Sequence, residues 1–109
     1  MILVKSYSEL NLHPKLITIV EAVDIEFGPG LLTSIYRRGD KGCHGTMPVR
    51  AVDRRCRNYS AGQVIEKWIN DRWHYDLTRP EKQCCIFHDI GKGLHLHFQV
   101  HDNTCLVQR

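Results

Sequence analysis

The sequence predicts an α+β domain, two helices packed on a small, mainly antiparallel sheet. Three observations predict it. Two stretches carry apolar residues at helical spacing, short β-type runs lie between and after them, and a glycine-containing turn joins the last two runs. The 109 residues suffice for one domain, 1–109, with a single hydrophobic core.

The first helix is expected in "NLHPKLITIVEAVDIEFG". Asn11 can cap it, Pro14 suits its first turn, and Leu16, Ile19, Val20 and Val23 recur on one face. Gly28, Pro29 and Gly30 end it. "LLTSIY", 31–36, has the length and composition of a buried strand. "RRGDKGCHGTMP" is polar and glycine-rich, hence a loop. "VRAVDR", 49–54, alternates Val49 and Ala51 against Arg50 and Asp53, a short strand.

The second helix is expected in "SAGQVIEKWINDRWHYD". Ser60 and Gln63 form a capping box, and Val64, Ile65, Trp68, Ile69 and Trp73 make the apolar stripe. Pro80 closes the loop that follows. "CCIFHD" and "LHLHFQV" read as two strands joined through "IGKG", an antiparallel hairpin.

Composition bounds the function. Apolar residues make up 42% and charged residues 25%, which excludes a disordered chain. The net charge of +3 permits anionic partners without indicating nucleic acid. Arg50, Arg54, Arg55 and Arg57 are expected on a solvated face. No apolar run approaches the roughly 18 residues of a membrane span. Lys5 interrupts the first apolar residues too soon for a signal peptide, so a cytoplasmic chain is expected. The five cysteines are odd in number, include an adjacent pair and lack C-x-x-C spacing. Free, mostly buried thiols are expected.

The chemistry concentrates in "HLHFQV". His95 and His97 share one face of a strand, about 6–7 Å apart, while Leu94, Leu96 and Phe98 take the other. The histidine face is expected to look into a cleft or onto solvent. Two imidazoles suit a metal site or an acid–base pair. Catalytic zinc wants three protein ligands and an open position, so partners must come from elsewhere. His44 lies in the glycine-rich loop. Asp53 sits among Val49, Ala51 and Val52, and a carboxylate in apolar company needs a partner. A metal ion is one; Arg50, Arg54 or Arg55 is another. His13, His74, His88 and His101 have no evident partner, although His88 can lie near the same cleft.

Ser34-Ile-Tyr-Arg37, His44, "VRAVD" ending at Asp53, and His95-Leu-His97 together resemble the zinc D-Ala-D-Ala peptidases. Those enzymes share their fold with hedgehog signalling domains and lysostaphin-type endopeptidases. The ordered set spans roughly residues 31–100. The resemblance implies that His44, Asp53 and His97 bind one zinc ion. It implies that Arg37 holds the substrate carbonyl or carboxylate, and that His95 stands beside the metal. Two departures are evident. "HGTMPVRAVD" is two residues longer than the family's His-to-Asp segment, with Arg50 at a glycine position. The family's glutamate base is absent, since Leu94 and Gly91 occupy its two known positions. His95 is the expected base and Asp89 the next choice.

The resemblance implies a monomeric peptidase of peptidoglycan stem peptides, of the phage-lysis type, with neither nucleic acid nor membrane as partner. A zinc-containing binding module without activity is the alternative. A small virion or assembly protein whose histidines bind nothing is the third reading.

Overall fold

The computed structural model describes residues 11–35, 48–89 and 93–108. Among these described residues two helices and six strands follow in the order α1 (Pro14–Phe27), β1 (Leu32–Ile35), β2 (Ala51–Arg55), α2 (Tyr59–Asn70), β3 (Trp73–His74), β4 (Cys85–Asp89), β5 (Leu94–Gln99) and β6 (Cys105–Leu106). The fold is α+β, as expected. The main sheet has the order β1-β2-β5-β4 with every neighbouring pair antiparallel. A second sheet of β3 and β6, with two residues per strand, was not anticipated, because such short strands carry no period to detect.

α1 begins where proline permits, but its cap is His13, not Asn11. The His13 ring accepts from the backbone N–H of Lys15 at 3.1 Å. Asn11 adopts φ 58° and its carbonyl accepts from Val49 N–H at 2.8 Å. Gly28, at φ 92°, ends the helix, its N–H donating to Asp24 O at 2.9 Å. The expected stripe Leu16, Ile19, Val20 and Val23 is fully buried.

α2 starts two residues earlier than the capping box implied. Asn58 is the cap, its side chain accepting from Ala61 N–H at 2.9 Å. The helix stops at Asn70 instead of continuing to Asp76, and Trp73 enters β3. Ile65 and Ile69 enter the core and Trp68 packs against it, whereas Val64, expected in the stripe, is exposed. Gly62 allows the helix to approach β4: a Cβ there would lie 2.3 Å from the Phe87 ring. Two α2 side chains then cover the outer edge of β4. Asn70 exchanges both amide hydrogen bonds with the backbone of Cys85, at 2.9 and 3.1 Å, and Glu66 accepts from Phe87 N–H at 2.8 Å.

Register decides what each sheet face carries. Val52, Leu96, Phe98 and Cys85 join α1 and α2 in one core. Arg54 shares this helix-facing side, contrary to the expected solvated stripe. Its guanidinium donates to Asp24 Oδ1 at 3.0 Å and to Gly28 O at 2.8 Å, which ties β2 to the end of α1. Arg50 pairs with Asp102 at 2.9 Å. Both had been candidate partners of Asp53, and both instead pair with other carboxylates.

Cys84 and Cys85 are buried and Cys56 and Cys105 half-buried, all four free. Burial pushes the Cys84 thiol up to about 12 and raises Cys85 as well, so neither is a ready nucleophile. Among the described residues no helix is long and apolar enough to cross a membrane.

Candidate metal centre on the sheet face

Residues directly across an antiparallel ladder share a face. Asp53 pairs with Ser34 on one side and His97 on the other, while His97 also faces Ile86, and His95 faces His88 and Arg55. Asp53, His88, His95, His97 and Gln99 therefore occupy one face, opposite the side that meets the helices. Asp53, His95, His97 and Gln99 are nonetheless buried, each with 9% exposure or less. Of the two expectations for this face, a cleft or solvent, the second is corrected.

The contacts within the cluster are directional. His97 Nδ1 lies 2.8 Å from Asp53 Oδ1, and its Nε2 lies 3.2 Å from Gln99 Oε1. Gln99 Nε2 donates to the carbonyl of Gln83 at 2.7 Å. A carbonyl can only accept, so the amide of Gln99 must turn its oxygen to His97, and His97 Nε2 carries a proton. His95 is held the other way round. Its Nδ1 lies 3.1 Å from Gly93 O and must be the protonated nitrogen. Its Nε2 lies 3.9 Å from Asp53 Oδ2 and, being buried, has no hydrogen-bond partner among the described residues.

Two histidines on one strand are thus fixed through opposite nitrogens, and the other nitrogen of each is near Asp53. A second ring proton or a metal ion is needed where His97 Nδ1 meets the carboxylate, since two lone pairs at that distance repel. Carboxylate and imidazole are zinc-type ligands, and a ring N–H donated to a carbonyl is the usual support of a ligating histidine. The donor chemistry fits a metal. Two ligands are not a complete site, and among the described residues no group of three His, Cys, Asp or Glu side chains could hold a metal ion. His44, the expected third ligand, and Arg37, the expected carbonyl-binding residue, lie outside the described residues.

His88 adds a third imidazole. Its ring centroid is 4.6 Å from that of His95, edge to face, and 6.1 Å from that of His97. Burial, then the neighbouring His95 and His97, lowers its pKa from the ordinary histidine value. Asp89 is placed differently. It is exposed at the end of β4, opposite Leu94, and its carboxylate accepts from Gly93 N–H at 3.2 Å. Strand alternation puts it on the other face from His88, away from the cluster.

Of the remaining histidines, His13 contacts Asp102 at 3.1 Å, and His101 lies 3.7 Å from Asp76 and accepts from Asn103 N–H. Both have the partners that the sequence did not reveal. Gln99 was also missed. The available signal was the stripe itself, since 95, 97 and 99 alternate onto one face.

Fold and cluster together define an α+β domain with a buried carboxylate–imidazole centre on the sheet face away from its helices. Compared with known protein families, with curated proteins and with solved structures, the chain matches none of them.

Proposed function

We propose that this domain is a zinc-dependent peptidase acting on peptidoglycan stem peptides, as a D-Ala-D-Ala carboxypeptidase or an L-Ala-D-Glu-type endopeptidase. The observation that carries the reading is the approach of His97 Nδ1 to Asp53 Oδ1, with His95 Nε2 beside the same carboxylate and without a hydrogen-bond partner among the described residues. The substrate class rests on the resemblance of Ser34–Arg37, His44, Asp53 and His95–His97 to the zinc D-Ala-D-Ala peptidases.

Asp53 and His97, with His44, would hold the ion. When bound, zinc polarises a scissile carbonyl and lowers the pKa of its water to about 7. His95 takes the proton: Gly93 O occupies its Nδ1, which leaves Nε2 as the basic atom. Arg37 orients the substrate carbonyl and offsets the negative charge that develops on it. The net charge of +3 favours approach to an anionic wall. An enzyme of this kind reaches the wall when released from the cell, as in phage lysis.

The test is clearing of bacterial walls, with metal content measured on the same preparation. Clearing with stoichiometric zinc, abolished by a strong chelator and restored by zinc, is expected. Clearing that survives the chelator would overturn the zinc mechanism.

The second reading is a zinc-holding module that binds wall peptide without cleaving it. Deep burial of His95 and the lack of glutamate at positions 91 and 94 favour it. Stoichiometric zinc, peptide binding and no turnover would select this reading.

A further inference from the structure

A cavity of about 320 Å³ is lined wholly from the segment 70–83, which runs from the end of α2 through β3 to the approach to β4. None of the expected site residues lies in it. We infer that this cavity is a subsite for an acidic residue of a peptide, with Lys82 as partner of the carboxylate and Trp73 as the wall for its aliphatic stem. The choice of peptide rests on the peptidase reading, which makes the occupant the glutamate unit of the stem peptide.

The volume lies at the lower end of the range for small-ligand sites. Trp73 is half-buried and packs on Trp68 at a ring-centroid distance of 5.9 Å, so its indole is a wall already fixed in place. Leu77, 66% exposed, is a second apolar residue of the lining. Walls of this kind cover methylene groups and leave a charged tip to a polar partner.

Charge selects the tip. The lining holds two side chains charged at neutral pH, Asp76 and Lys82, besides the imidazole of His74. Asp76 is already engaged: Thr78 N–H and hydroxyl donate to one of its oxygens at 3.0 and 2.8 Å, and Arg79 Nε to the other at 3.1 Å. Lys82 is exposed, and among the described residues its ammonium has neither an ion pair nor a hydrogen bond. A carboxylate supplies that ammonium with a charge-assisted bond, which a carboxamide of the same shape does not match.

Gln83 places the cavity beside the candidate centre. It belongs to the lining, and its carbonyl accepts from Gln99 Nε2 at 2.7 Å. A peptide that seats its glutamate here is thus held next to the strand that carries His95, His97 and Gln99. Of the two bonds in the peptidase reading, the L-Ala-D-Glu-type bond is the one presented.

The experiment is a titration of the full chain in chelator, followed by NMR at the Trp73 indole N–H. Three synthetic stem pentapeptides serve as probes: one with the free glutamate carboxylate, one with that group as carboxamide, and one amidated only at the C-terminus. The first and third should bind alike, and the carboxamide about 5-fold more weakly, the upper range for an exposed charge pair. Lys82→Gln, a change at an exposed position, should abolish the difference, and Lys82→Arg should retain it. Absence of a saturable shift at Trp73 in the parent overturns the inference. So does equal binding of carboxylate and carboxamide, a preference that follows the C-terminal group, or an unchanged preference in Lys82→Gln. Selective binding without zinc content or wall clearing supports the subsite and removes the peptidase reading alone; zinc-dependent clearing without the preference removes the subsite alone.

Discussion

Asp53 and His97 meet across the β2–β5 ladder, Oδ1 to Nδ1 at 2.8 Å, and both side chains are buried. A pair of strands sets this contact, not a loop, and both are inner strands of the main sheet. His95, two residues along the same strand, stands further off, its Nε2 3.9 Å from Asp53 Oδ2.

Substitutions in the cluster should therefore separate by role. Asp53→Ala and His97→Ala are expected to lose bound metal. His95→Ala should retain metal and lose roughly 10²–10⁴-fold in rate, the usual contribution of a general acid or base. Turnover of wall peptide and metal analysis on each variant check this. A fully active His95→Ala protein would assign the base elsewhere.

Gly62→Ala sets two effects against each other. Alanine raises helix propensity by about 1 kcal/mol. Its methyl would, however, sit 2.3 Å from the Phe87 ring, which already packs on Tyr59 at a centroid distance of 5.8 Å. Overpacking of this kind costs about 1–3 kcal/mol. A net loss of about 1 kcal/mol in urea denaturation is expected, relieved when Phe87→Leu is added. A variant as stable as the parent would mean that the ring swings aside at no cost.

Arg54→Met tests the tie between β2 and α1. The substitution keeps the aliphatic stem but removes the bonds to Asp24 and Gly28 O. Breaking a largely buried pair from one side should cost about 3 kcal/mol. The double variant Arg54→Met with Asp24→Leu should recover part of that loss, because the carboxylate that faced the guanidinium is gone as well. Equal stability of the single and double variants would argue against the pair.

Acid stability should depend on Asp76. Thr78 N–H and hydroxyl, then Arg79 and Asn103, hold its carboxyl at about 2, below the ordinary 3.8. A folded-state pKa below the unfolded one means that the native state is favoured while the carboxylate is ionised. The contribution is complete above the unfolded pKa and is lost as pH falls from 3.8 towards 2. Asp76→Asn should be less stable at neutral pH and show a shallower decline across that window. Parallel pH profiles for the two proteins in urea would contradict the assignment.

Much of the fold was legible because its main elements carry strong periods. Leu16, Ile19, Val20 and Val23 mark α1 at helical spacing, and Leu96 and Phe98 mark the buried side of β5 at strand spacing. Caps were less legible, since His13 and Asn58 compete with equally suitable neighbours and only local geometry chooses between them. The pairing of Arg54 with Asp24 joins positions 30 residues apart and leaves no local trace. At the site, Asp53 and His97 were expected to share one metal ion with His44, and the fold brings the first two into direct contact. The burial of their face depends on register and packing, which sequence alternation alone does not supply, whereas the place of Gln99 beside His97 followed from alternation and was overlooked.

Asn70 and Glu66 occupy the backbone groups along the outer rim of β4. An extended polypeptide cannot lengthen the sheet there by zipping onto Cys85 or Phe87 without first evicting both side chains. Strand exchange at the outer side of β4, which carries His88, thus meets a barrier at Cys85 and Phe87, where a competing mate has to replace side-chain bonds already made.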